Sequence, residues 1–449
     1  MNNKIRFLAL TAAMAGFLFG FDTAVISGTI ELVTLQFELS DAGVGWFVSS
    51  ALFGAISGVA FSGYFSDRYG RKPMLIASGI LFLISSLGCS FSGSFTELIL
   101  YRFLGGIAFG MASMVAPWYI SEMSPAKERG KLVSVYQLAI TVGILLAYFG
   151  NYCASQWSLQ ADAFSYGPMR FLYRDQVWRG MFANEVVPIS IYLICLIFIP
   201  KSPRWLMVRK QQKKAEEIAI RYGIDIQTLD TAEVKENISF TKLIRSVYKR
   251  PMTIAVFLMV FSQICGINAI IYYGPSIMAK AGFTLNEALG GQVTIGIVNS
   301  LFTLIAIFTI DKWGRIPLLK FGAGGVILSL IAISALFFIG GAATNFVILG
   351  IVVYIACYAF SLGPVQFVVA SEIFPTEIRG RALTISTLFL WSTNALVGQV
   401  FPLMLNGLGA AGTFMIFAII CLPSLWFISK FIPETKGKSL EEIQVFWQK

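Results

Sequence analysis

The sequence predicts an all-α membrane protein: twelve transmembrane helices in two pseudo-symmetric six-helix bundles. Three observations carry this. Apolar runs long enough to cross a bilayer, roughly 20 residues each, recur along a 449-residue chain that is 56% hydrophobic, 13% charged and has a mean hydropathy of +0.73. Basic residues collect on one side of those runs. Two loop motifs each occur twice, in the same order.

The first run, about 7–28, reads FLALTAAMAGFLFGFDTAVISG and carries one charge, Asp22. A short apolar core with a small-residue cleavage pattern is missing, so this run reads as a retained span and not a signal peptide. Further spans fall at about 43–65, 74–93, 98–120, 131–153 and 179–199, then 252–278, 289–310, 317–340, 344–370, 380–406 and 410–432. Arg102 lies inside the first turns of the fourth. A charge near a membrane helix centre costs on the order of 3 kcal/mol on insertion scales, so such residues face a cavity or a partner. Asp22 and Arg102 are therefore the candidate working pair, each placed roughly 8–9 Å below the outer surface by counting from its span end. A static ion pair that ties two helices together is the plainer alternative. Gly54, Gly58 and Gly63 in the second span, and Gly105, Gly106 and Gly110 in the fourth, read as close helix contacts.

Net charge is +10. In a soluble protein this would raise nucleic acid as a partner, but placement explains it better. Of the 34 lysines and arginines, all but Arg102, Arg170, Arg174, Arg179 and Lys280 fall at the termini, in alternate loops or in the central polar segment. This is the positive-inside pattern with both termini cytoplasmic. Six scattered cysteines show neither metal spacing nor a disulfide framework. With no histidine in the chain, a histidine proton relay, a histidine metal site and a Ser-His-Asp triad are excluded. No nucleotide-binding glycine loop appears. The chain does not read as an enzyme, and no cofactor or metal is expected.

The repeat sets the domain organisation. Asp67-Arg68-Tyr69-Gly70-Arg71-Lys72 follows the second span, and Asp311-Lys312-Trp313-Gly314-Arg315 follows the eighth. Ser121-Glu122 leads to Pro125 and Arg129 after the fourth; Ser371-Glu372 leads to Pro375 and Arg379 after the tenth. Matching halves imply a transporter with its site at the interface of the repeats. The expected domains are an N-terminal bundle over 1–200, a cytoplasmic helical linker over 201–250, a C-terminal bundle over 251–432 and a cytoplasmic tail over 433–449. Asp67, Arg68, Gly70, Arg71, Glu122, Arg129, Asp311, Arg315, Glu372 and Arg379 form the candidate cytoplasmic gate, since alternating access needs contacts that differ between states. Simple retention of basic loops in the cytoplasm is the alternative. The external loop over about 154–178 has no assigned role.

The chain resembles the sugar porters of the major facilitator superfamily, particularly bacterial proton-coupled sugar symporters. The match runs over nearly the whole length. It includes Gly20 to Gly28, the loop Asp67 to Lys72, Pro117 with Tyr119 and Glu122, Trp178-Arg179 and Ser202-Pro203-Arg204. It continues through Gly266-Ile267-Asn268, Tyr272-Tyr273, Gly363-Pro364, Glu372 to Arg381 and Pro433 to Gly437. The resemblance implies the major facilitator fold and import of a monosaccharide or polyol with a proton by alternating access. It carries the coupling role to Asp22 and Arg102. It carries sugar recognition to Phe19, Gln137, Gln263, Asn268, Tyr272, Asn299 and Trp391, a set of amides and flat aromatics suited to hydroxyls and ring faces. Ser262 stands where many relatives have Gln, Phe367 where many have Trp, and Leu390 where Gln or Asn is common; Ser262 and Phe367 are thus expected to set substrate choice. Lys201 stands where the family usually has Glu. A passive facilitator and a non-transporting sugar sensor are the competing functions; Asp22 argues against the first, and a short tail against the second. The expected setting is a bacterial inner membrane, with the bilayer, a small sugar and a proton as partners, no nucleic acid, and a functional monomer.

Overall fold

A computed structural model describes residues 3–125, 128–160, 167–224, 248–374 and 376–436. Twelve helices in it are long and apolar enough to cross a membrane, and no strand occurs among the described residues. The chain is an integral membrane protein. In chain order the helices are α1 Asn3–Phe37, α2 Asp41–Tyr69, α3 Arg71–Phe91, α4 Phe95–Met123 and α5 Arg129–Ser158. A short α6, Gly167–Arg170, and a π-turn precede α7 Val177–Ala183 and α8 Val186–Phe198, which together make the sixth span. Two short amphipathic helices follow, α9 Pro203–Val208 and α10 Gln212–Tyr222. The second half comprises α11 Lys249–Ile264, α12 Ile267–Lys280, α13 Leu285–Trp313, α14 Arg315–Ile339, α15 Val347–Phe360, α16 Leu362–Glu372, α17 Thr376–Gly407 and α18 Gly409–Phe431.

Two compact units contain these elements. One is Met1–Phe37 with Ser50–Lys235; the other is Glu236–Lys449 with Glu38–Ser49, the first turns of α2. Within the second unit, Ser49 Oγ donates to Gln399 Oε1 at 2.7 Å and Gln399 Nε2 donates to the Ala42 carbonyl at 3.1 Å. The predicted linker is helical over α9 and α10, where Trp205, Leu206 and Ala215 form a small core with Met207 and Ile218 packed on it. Residues 225–247 of that prediction lie outside the described residues, and its last two residues, Lys249 and Arg250, already belong to α11.

Packing in the first unit depends on missing side chains. A Cβ on Gly20 would land on the Ile140 carbonyl, and one on Gly143 on the Phe17 carbonyl, so α1 and α5 touch backbone to backbone. Gly54 meets the Phe103 carbonyl and Gly106 the Ala51 carbonyl, which does the same for α2 and α4. Without a hydrophobic drive between helices in lipid, such close approach is what van der Waals association requires. Gly63 is a correction: among the described residues nothing lies within 4 Å of a Cβ there, so it is not a point of close helix approach.

Candidate functional site

The first unit buries three charged side chains together. Arg102 Nη1 on α4 donates to Asp22 Oδ1 on α1 at 2.9 Å, and the residues are 2% and 1% exposed. Gly105, one turn along α4, leaves room for Ser85 beside the pair: a Cβ there would collide with Ser85 Oγ, and would lie in ordinary contact, 3.5 Å, with Asp22 Oδ1. The Arg102 guanidinium lies 5.8 Å from the Phe182 ring. The third member, Glu185, was not singled out by sequence reasoning. It is 1% exposed and lies close enough to interact electrostatically with both Asp22 and Arg102. Its signal was legible as a carboxylate inside the predicted span 179–199. Pro188 explains its position, since a proline without an N–H cannot bond the carbonyl four residues back. The helix is interrupted there, at Asn184 and Glu185, between α7 and α8. Asp22 Oδ2, Arg102 Nε and Glu185 Oε1 have no hydrogen-bond partner among the described residues. One correction concerns depth: α1 continues past the expected end at Gly28 to Phe37, so counting from its end does not measure how deep Asp22 lies.

The side chains assigned to sugar recognition divide between the units. Phe19, stacked on Phe109 at 5.4 Å, and half-buried Gln137 belong to the first. In the second unit the seventh span is broken at Gly266, whose φ of +89° suits glycine. The break places Gln263 and Asn268 together: Asn268 Nδ2 donates to Gln263 Oε1 at 2.5 Å, and Gln263 Nε2 donates to Ser262 Oγ at 2.9 Å. Ser262 is fully buried and donates to the Met259 carbonyl at 2.8 Å. It therefore holds Gln263 in place. Asn299 and Trp391 are buried on α13 and α17. Tyr272 is also buried, and its hydroxyl pairs with the Asn394 amide at 3.1 Å, a partner that sequence reasoning missed. Phe367, by contrast, is 41% exposed, while its neighbour Gln366 is buried.

The gate motifs close into one latch per unit. In the first, Arg71 bonds Glu122 Oε1 through Nε and Nη2 at 3.1 and 3.0 Å, and Asp67 Oδ1 through Nη1 at 3.0 Å. In the second, Arg315 makes a two-pronged pair with Glu372, at 3.1 and 2.7 Å. Such forked charge-assisted pairs combine strength with fixed geometry. A hydroxyl completes each latch: Ser202 Oγ on Glu122 Oε2 at 2.5 Å, and Thr435 Oγ1 on Glu372 Oε2 at 2.6 Å. Gly70 and Gly314 turn the chain with φ of +98° and +89°.

Two expected gate members bond other groups: Arg68 donates to the Tyr64 hydroxyl, and Arg379 donates to the Phe374 carbonyl while lying close enough to Glu372 to feel its charge. The Asp311 and Arg129 side chains lie outside the described residues. Lys201 marks the difference between the halves. At its counterpart, Glu434 accepts the Arg315 and Ile316 N–H groups, both at 3.0 Å. Burial pushes the Glu434 carboxyl up, but those donors, the Lys436 N–H and the Arg315 charge outweigh it and hold it below its ordinary range. In the first unit Trp205 covers Gly70 instead, and Lys201 lies 5.5 Å from the Trp205 ring.

Residues 8–447 match the family model described as sugar (and other) transporter. The chain belongs to that family. Among relatives in the family, it is 36% identical to the arabinose-proton symporter of Bacillus subtilis, over 98% of this chain and 95% of that one. It is also 36% identical to the D-xylose-proton symporter of Escherichia coli K12, again over 98% and 95%. The partially occluded inward-open structure of the xylose transporter XylE from E. coli superposes with a TM-score of 0.84 at 34% identity, covering 98% of this chain and all of that one. The fold is therefore that of a major facilitator transporter.

Proposed function

We propose that this protein imports a monosaccharide or polyol together with a proton by alternating access. The buried Asp22–Arg102–Glu185 cluster carries this reading. Two carboxylates around one guanidinium are a unit negative when all are ionised and neutral with one proton bound. In a low-dielectric setting that single charge separates two states strongly. Asp22 is the proton acceptor, Arg102 its countercharge and Glu185 the neighbour that leaves one negative charge over. The symporter relatives for arabinose and xylose support the same coupling and the sugar class.

Sugar hydroxyls are held by Gln137, Gln263, Asn268 and Asn299, with Phe19, Tyr272 and Trp391 against the ring. Ser262 acts through Gln263. Two half-helices meeting at Gly266 suit this, because broken membrane helices present polar groups to a substrate. Arg71–Glu122 and Arg315–Glu372 belong to the cytoplasmic gate. The protein works as a monomer in a bacterial inner membrane, with both termini cytoplasmic.

The test is uptake of labelled D-xylose, L-arabinose, D-galactose and a polyol panel into proteoliposomes under an imposed proton gradient. Concentration of at least one of them, abolished by a protonophore, is the expected result. Equilibration without concentration would make it a facilitator.

A further inference from the structure

The second unit contains an apolar groove of about 580 Å³ between α11, α17 and α18, lined chiefly by Val256, Val260, Ile264, Ile385, Phe389 and Ile420. Its origin lies in the repeat. In the first unit the matching helices α1 and α5 touch through Gly20 and Gly143. In the second, α11 and α17 also pack together, but branched and aromatic side chains on α11, α17 and α18 leave a groove beside the contact.

Each wall helix ends in a cation on the same stripe, since residues three, four or seven apart share a helix face. Lys249 and Arg250 lie one turn before Thr253, itself part of the lining, and Arg381 one turn before Ile385. Lys430 lies two turns beyond the lining residue Pro423. All four are exposed. α11 and α17 begin at this end and α18 finishes there, so the cations share one mouth. From Met252 to Ile264 the groove follows α11 for about 18 Å, close to one leaflet of a hydrocarbon core of about 30 Å.

We propose that this groove binds an anionic phospholipid, with an acyl chain along the α11–α17 seam and the phosphate among Lys249, Arg250, Arg381 and Lys430. Charge complementarity selects the headgroup, as basic pockets between transmembrane helices do, and the apolar walls select a chain over a soluble phosphate. The proposal rests on membrane placement and is independent of the sugar site.

The test uses the full purified chain and phosphatidylglycerol or phosphatidylcholine with identical acyl chains, one bearing a photoreactive group near its end. Preferential crosslinking of the phosphatidylglycerol probe to α11 and α17 residues is expected, together with selective retention of phosphatidylglycerol in native mass spectrometry. Combining Lys249→Gln, Arg250→Gln and Lys430→Gln should cut that selectivity by about fivefold per cation, at about 1 kcal/mol each. Val256→Trp should exclude the chain while sugar counterflow persists. Equal binding of the two lipids would overturn the anionic selection. Selectivity that survives Val256→Trp, or crosslinks spread evenly over all helices, would overturn the groove.

Discussion

Asp22→Asn is the perturbation that most directly tests the buried cluster. Asparagine keeps an oxygen to accept from Arg102, which now makes one contact to Asp22 at 2.9 Å, but it cannot gain or lose a proton. Formally the cluster moves from a unit negative to neutral, the state that a bound proton would produce. Fold stability should therefore change little, because Glu185 remains to face Arg102. Arg102→Ala is the contrast: it leaves two buried carboxylates without a cation, and breaking a buried pair in that way costs about 3–5 kcal/mol. A gradient of 100 mV is worth about 2.3 kcal/mol per proton, or roughly fiftyfold accumulation. In proteoliposomes the wild type should approach that ratio, and Asp22→Asn should fall to equilibration while sugar–sugar counterflow persists. Retained accumulation in Asp22→Asn would refute the assignment and leave a static pair between α1 and α4.

Topology gives a second test: cysteines placed between Arg204 and Tyr222 should resist a membrane-impermeant thiol reagent in intact cells, and external labelling would reverse the orientation. Gly20→Val should sharply lower the yield of folded protein, because its side chain would enter the Ile140 carbonyl, whereas Gly63→Val should be within about 0.5 kcal/mol of wild type in thermal melts. Ser262→Gln with Phe367→Trp should move substrate preference toward a common aldohexose or aldopentose, since an unpaired buried hydroxyl costs about 1–3 kcal/mol; an unchanged ranking over the sugar panel would count against both positions. For Glu434, a folded-state pKa below the unfolded value means that its contribution is complete above the ordinary carboxylate range and is lost only as pH falls through the lowered value. Melting temperatures of wild type and Glu434→Gln should therefore differ at pH 6–7 and converge below about pH 4.

Much of this molecule is local, and so was legible in one dimension. Twelve apolar runs follow from the length of a helix needed to cross hydrocarbon, and the repeat of Asp67–Arg71 at Asp311–Arg315 shows the two halves by itself. Asp22 and Arg102 announce themselves because a charge in an apolar run is costly wherever the helix packs. Other features depend on what faces what. Glu185 shows in the sequence only as one more acid near a helix break; its nearness to Asp22 comes from how α8 packs. Gly54 and Gly63 look alike in sequence, yet one abuts a carbonyl and the other faces open space, because the helix face that meets a neighbour is a property of the packed pair. Ser262 reads as a lost amide, and only its hydrogen bond from Gln263 shows that it positions another residue. Glu434 reads as part of a tail motif, and only the turn at Gly314 brings its carboxylate onto two helix N–H groups. Composition and periodicity set the spans and their order. The contacts of buried polar atoms, which arise between residues remote in the chain, were decided by tertiary structure.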